Sequence, residues 1–246
     1  MRYFIELSYN GKAYHGWQIQ PNAISVQEVL DNALSKLLRS KISVMGAGRT
    51  DAGVHASQMF AHFDTDSLVE DKLLFKLNSF LPNDIAIHNI FQVKDEAHAR
   101  FDASSRTYIY KVSQQKNVFN SDFAFSHHKH LDLKAMNEAC EILLKYNDFQ
   151  CFSKVHTDVK TYNCNIMFSQ WECKDDQLFF TIKADRFLRN MVRAIVGTMI
   201  NIGIGKMNVE DLHNIIKSKN RGEAGFSVPA HGLYLTKIEY PNTINI

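Results

Sequence analysis

One carboxylate stands alone among small residues in GAGRTDAGVHA, residues 46–56. Asp51 has Arg49 and Thr50 before it and Val54 and His55 after it, and the other residues of the segment are glycine or alanine. A carboxylate placed this way can serve as a nucleophile or a general base. The small side chains let a large flat ligand come close to the backbone. Arg49 can bind a phosphate or fill the space left by a displaced base. The plainer reading is a glycine-rich turn in which Asp51 caps its own backbone. Against it, the connection is long for a turn joining two strands. The segment is neither a Walker loop nor a GxGxxG fingerprint. His55 is expected to shape the turn through a backbone hydrogen bond.

Arg49 belongs to a wider set that includes Arg100, Arg106, Arg186, Arg189 and Arg193. Arg189 and Arg193 are spaced to share one helix face, where a solvated face is the ordinary expectation. Arg193, however, lies amid Met191, Val192, Ala194 and Ile195, and an unpaired buried charge is costly. Asp51 is the partner that suits it. Tyr108 and Tyr110 alternate on one strand face: Tyr110 reads as core, while Tyr108 could stack on a base, as readers of single-stranded RNA do. His127, His128 and His130 have loop-like neighbours and read as solvated rather than ligating. Cys151 lacks a His-Asn or His-Asp arrangement, which argues against thiol catalysis.

The elements that must position these residues follow from periodicity. Arg2–Tyr9 alternates and reads as a strand. Ser25-Val26-Gln27-Glu28 is a capping box opening a helix through Leu38. Strands are expected at Ile42–Ala47, Gln58–Asp64 and Ile85–Phe91, with a helix at Leu68–Phe80. The second half repeats the order, with strands at Thr107–Ser113, Thr161–Trp171, Leu178–Ala184 and Leu233–Tyr240. Its helices are expected at Leu133–Tyr146, Phe187–Ile202 and Val209–Lys217. The pattern predicts an α+β fold: two ferredoxin-like βαββαβ halves, residues 1–104 and 105–246, forming a mainly antiparallel sheet flanked by helices, with a central cleft. The first half would carry the Asp51 loop, and the second Tyr108 and Arg193.

Composition sets limits. With 246 residues, 45% of them hydrophobic, a sizeable core is available. A net charge of +2 is far from that of a protein that coats nucleic acid, so any RNA site must arise from local clustering. The four cysteines form no CxxC pair, which argues against zinc, and they are too few for a disulfide scaffold, which fits a reducing compartment. No apolar run reaches the ~20 residues of a membrane span, and a cytoplasmic protein is expected.

Six segments then occur in order: Gly11 with Tyr14-His15-Gly16-Trp17-Gln18, Gly48–Ala56, His98-Ala99-Arg100-Phe101, Arg106–Tyr110, Phe187–Arg193 and Ala230–Leu235. Together they resemble the TruA-type tRNA pseudouridine synthases, nearly end to end. The resemblance implies a homodimer acting on tRNA without cofactor or metal. Its substrate would be uridine at positions 38, 39 and 40 of the anticodon stem-loop. Carried over by motif, Asp51 is the catalytic carboxylate and Arg193 its partner. Tyr108 contacts the target base, Arg49 helps displace it, and Arg100 with His98 and Phe101 contacts tRNA. Asn10 stands where the family often has Asp, and Phe226-Ser227-Val228 is unusual before Pro229. Two rival readings are a non-catalytic RNA-binding module and a nucleoside hydrolase. The hydrolase would need a second carboxylate or a metal cluster, and Asp64 and Asp66 do not supply it convincingly.

Overall fold

The computed structural model describes residues 1–66, 68–155 and 159–246. The fold is α+β and divides into two compact units: Met1–Ser105 with Tyr234–Ile246, and Arg106–Leu233.

The first unit runs β1 (Arg2–Tyr9), α1 (Val26–Leu38), β2 (Met45–Gly46), β3 (His55–Asp64), α2 (Lys72–Phe80) and β4 (Ile85–Val93). Its strands lie in the order β4-β1-β3, with β2 also on β3, every pair antiparallel. That is the ferredoxin-like arrangement. Successive side chains of a strand point to opposite faces. Tyr3, Ile5, Leu7 and Tyr9 therefore share one buried face of β1. Phe4, on the other face, packs against His62, Phe91 and Tyr240. Helix α1 starts where Ser25 accepts the Glu28 amide at 3.2 Å, and it buries Val26, Leu30, Ala33 and Leu34. The expected strand at 42–47 shrinks to two residues because α1 takes its donors. Ser35 Oγ accepts the Ile42 amide at 2.8 Å, and Asp31 accepts the Val44 amide at 2.8 Å. Helix α2 also begins later than expected, at Lys72.

The second unit contains β5 (Ser105–Ser113) from Arg106 onward, β6 (Phe125–Ser126), α3 (Leu133–Leu143), β7 (Ile166–Lys174), β8 (Gln177–Ala184), α4 (Met191–Gly203) and α5 (Asp211–Ser218). The order β5-β8-β7 is antiparallel, and β6 pairs in parallel with the end of β5. Trp171 on β7 centres the core. Its ring lies 5.0 Å from Phe180, its indole N–H points at Met199 Sδ, and Asn137 of α3 brackets its backbone. Every residue of α4 except Arg193 is buried, as befits a helix apolar on nearly all sides. Helix α4 begins at Met191 rather than Phe187. Asn190 adopts a left-handed φ of 68°, which a helix interior does not accommodate. Arg189 therefore sits outside the helix, and the shared helical face expected for Arg189 and Arg193 does not form.

The last strand, β9 (Leu233–Glu239), pairs in parallel with the start of β3, His55 opposite Tyr234 and Ala56 opposite Leu235. Pattern alone put this strand with the second half; its ladder to β3 groups Tyr234–Ile246 with the first unit. No helix among the described residues is long and apolar enough to cross a membrane.

Candidate active site

The Asp51 loop joins β2 to β3 in the first unit, and the chain after β1 is built around it. A Cβ on Gly11 would fall on the Val54 carbonyl, and one on Gly16, whose φ is +89°, on the Thr50 carbonyl. Glycine is what lets the two backbones touch. In that contact Trp17 N donates to Thr50 O at 3.2 Å and Gly53 N to Tyr14 O at 3.3 Å. Tyr14 is itself fixed, its hydroxyl donating to Asp84 at 2.6 Å; burial and that bond push its pKa up. Asn10, in place of the family's frequent Asp, still accepts the Lys12 amide at 3.0 Å and caps the following turn.

Within the loop, Val54 N donates to Asp51 O at 3.1 Å, closing a turn at Gly53, where φ is +78°. Asp51 is half-buried and Arg49 exposed. His55 is buried, stacks on Tyr234 and accepts the Gly11 amide on Nδ1 at 3.1 Å. Its role is thus to shape the loop. The side chain of Thr50 is held by Tyr9, hydroxyl to hydroxyl, at 2.9 Å.

A second constructed turn carries His98, Arg100 and Phe101, also in the first unit. His98 Nδ1 accepts the amides of Arg100 and Phe101 at 3.0 and 3.3 Å, and Asp102 accepts the His98 amide at 2.7 Å. The Nδ1 of His98 is thereby occupied in holding the turn. Arg100 lies over the Phe101 ring at 5.6 Å, and Phe101 is 73% exposed. An aromatic ring offered to solvent beside a guanidinium suits base stacking and phosphate binding.

Tyr108 and Arg193 belong to the second unit. Tyr108, on β5, meets Phe187 edge to face at 5.1 Å. Tyr110 is fully buried and donates to Pro229 O at 2.8 Å. Arg193 and the 224–229 segment are tied reciprocally: Arg193 Nε donates to Val228 O at 2.7 Å, and Val228 N to Arg193 O at 3.2 Å. The same segment lies on Gly197, where a Cβ would fall on the Phe226 carbonyl. Arg221 braces it from the other end through Gly225 O at 3.0 Å and Ser227 Oγ at 2.9 Å.

The structure brings Arg49 and Asp51 onto one loop and Arg100 and Phe101 onto one turn. Asp51 lies in the first unit and Arg193 in the second. Sequence reasoning passed over Tyr9, Thr50 and Asp84, none of which has a local pattern marking its contact. Burial pushes the thiols of Cys140, Cys151 and Cys164 up to about 12, which suppresses thiolate chemistry. Among the described residues no group of three His, Cys, Asp or Glu could hold a metal ion.

The sequence profile of the tRNA pseudouridine synthase family matches residues 7–102 and 139–241. The chain is 51% identical over 245 residues to a tRNA pseudouridine synthase A of Parabacteroides distasonis, spanning 99% of this chain and 97% of that protein. It is 53% identical over 246 residues to that of Bacteroides fragilis, spanning 99% and 98%. A more distant relative of the same name, from Bacillus licheniformis, is 37% identical over 247 residues, spanning 98% and 100%.

Proposed function

Since the chain belongs to the tRNA pseudouridine synthase family, it isomerises uridine to pseudouridine in tRNA, and we propose that Asp51 is the carboxylate that does so. The reaction breaks the N1–C1′ bond, turns the uracil and joins C5 to C1′. No redox change occurs and no water is consumed. The C5 proton leaves and N1 gains one, so a single carboxylate can open the reaction and later take the C5 proton. The uridine must first leave its stack, and Arg49, exposed on the same loop, fills the gap. Arg193 pairs with Asp51, and Tyr108 contacts the flipped base. Arg100 and Phe101 grip the tRNA from the turn that His98 shapes.

The observation that supports this reading is the Asp51 loop itself. It is fixed by backbone hydrogen bonds on both sides of the carboxylate, yet Gly48, Ala52 and Gly53 beside it are too small to bar a nucleotide. The working form is a cytoplasmic homodimer that uses no metal or cofactor, and its targets are uridines 38, 39 and 40. Nucleoside analysis of tRNA after incubation tests the chemistry. Pseudouridine is expected; free uracil would mean a hydrolase, and unchanged uridine a binding module. Mapping modified uridines in tRNA from cells lacking the protein tests the positions.

A further inference from the structure

Thr50, the residue before Asp51, is held twice. Its carbonyl accepts Trp17 N at 3.2 Å, and its hydroxyl meets Tyr9 OH at 2.9 Å. The two side chains are only 4% and 9% exposed. A buried hydroxyl left without a partner is costly, so each of these holds the other in place. Tyr9 ends β1, which has β3 on one side and β4 on the other, so its position is set by the sheet. Its ring also leans on Trp17, centroids 6.2 Å apart, and a Cβ on Gly46 at the loop's start would strike the Trp17 indole. Beyond Asp51, the Gly53–Tyr14 bond fixes the other end. The carboxylate therefore hangs between two anchors, and the nearer one is a side-chain pair rather than backbone alone.

We propose that the Tyr9–Thr50 hydroxyl pair is a positioning device that sets how Asp51 meets the uridine, touching no substrate itself. The proposal rests on Asp51 being the catalytic carboxylate. A reacting group displaced by about 1 Å loses rate on the order of 100-fold even when the substrate still binds. Groups fixed by a sheet hold their geometry better than groups fixed by a loop.

The test compares Tyr9→Phe, Thr50→Val, Thr50→Ser and the Tyr9→Phe/Thr50→Val double variant. For each, the single-turnover rate at saturating tRNA, the tRNA Kd and the melting temperature are measured. Tyr9→Phe and Thr50→Val should each slow the single-turnover step by roughly 10- to 100-fold, with Kd near that of the unaltered protein. Thr50→Ser, which keeps the hydroxyl, should restore the rate. Since both changes break one bond, the double variant should be no slower than the slower single. If Tyr9→Phe does not fold, the contrast of Thr50→Val with Thr50→Ser carries the same information. A folded Tyr9→Phe at full rate, or losses that multiply in the double variant, would overturn the proposal. Asp51→Asn is run alongside. Turnover by that variant would sink the site assignment, whereas an inactive Asp51→Asn beside a fully active Tyr9→Phe would sink only the positioning role.

Discussion

The imidazoles of His62 and His98 meet edge to face, ring centroids 4.6 Å apart, and each accepts a backbone amide of the 98–102 turn on its Nδ1. His62 accepts from Ala99 and His98 from Arg100, so both rings must be neutral at Nδ1 to support the turn.

Burial, aided by the nearby Arg2, pushes His62 down to about 4, and the same causes lower His98. An unfolded His titrates at about 6.5. The folded state thus binds protons less readily. The stability that these rings contribute is fully present above about 6.5 and is lost as pH falls towards the folded values. Asp31 works in the opposite sense. Burial raises it to about 6, so its contribution is lost as pH rises through that value. The two effects overlap, and the informative quantity is a difference. Thermal melts at pH 7 and pH 4.5 should show a larger fall for the unaltered protein than for His62→Asn, which keeps an acceptor but does not titrate. Equal falls would remove His62 from the account.

The glycines of the Asp51 loop are not equivalent. Gly46 faces the Trp17 ring, and Gly53 holds a positive φ. A Cβ on Gly48 would meet no described atom of its own unit within 4 Å, and its φ is not left-handed. Gly48→Ala should therefore raise stability by about 0.4–1 kcal/mol through the unfolded chain. Its kcat/KM should nevertheless fall at least about tenfold, ~1.4 kcal/mol at the transition state, because the methyl stands where the nucleotide approaches. A stable Gly48→Ala with unchanged kcat/KM would show that nothing comes close there.

Arg193→Met should cost more activity than Arg193→Lys, since lysine keeps the charge but loses the Nε bond to Val228 O. The exposed Lys217, away from the segment that Arg193 and Arg221 brace, is the neutral comparison. An Arg193→Met protein that folds and turns over like Lys217→Met would refute the pairing with Asp51.

Salt and chelator should act on different steps. With a net charge of +2, tRNA must be gripped by clustered cations, and phosphate contacts release counterions. Rising KCl should weaken binding steeply while the single-turnover rate at saturation holds. Arg100→Ala should lower the salt slope by about one. EDTA should leave the chemical step intact when the tRNA is already folded. Inactivation by EDTA that stoichiometric zinc or magnesium reverses would contradict a carboxylate-only reaction.

Much of the fold was legible because local and tertiary demands agree. Arg2–Tyr9 is a strand by alternation and a central strand in fact, and Ser25 caps α1 as its capping box indicates. Where they disagree, pattern fails. Ile42 and Val44 look like strand residues, but Ser35 and Asp31 of α1 take their amides. Phe187 and Leu188 continue the apolar period of α4, but the left-handed Asn190 interrupts it. The candidate site shows the same division. Asp51 and Arg49 announce themselves by the small residues around them. The contacts of Tyr9 with Thr50 and of Tyr14 with Asp84 join residues far apart in sequence, and no spacing rule marks them.

The central claim, that Asp51 performs the chemistry, is tested most directly by Asp51→Asn in a tritium-release assay on [5-3H]uridine tRNA, with tRNA binding measured on the same preparation. Asparagine keeps the size of the side chain while removing its charge and nucleophilicity. The account predicts no release above background, with tRNA binding within about tenfold of the unaltered protein, ~1.4 kcal/mol. Substantial release by Asp51→Asn would contradict it.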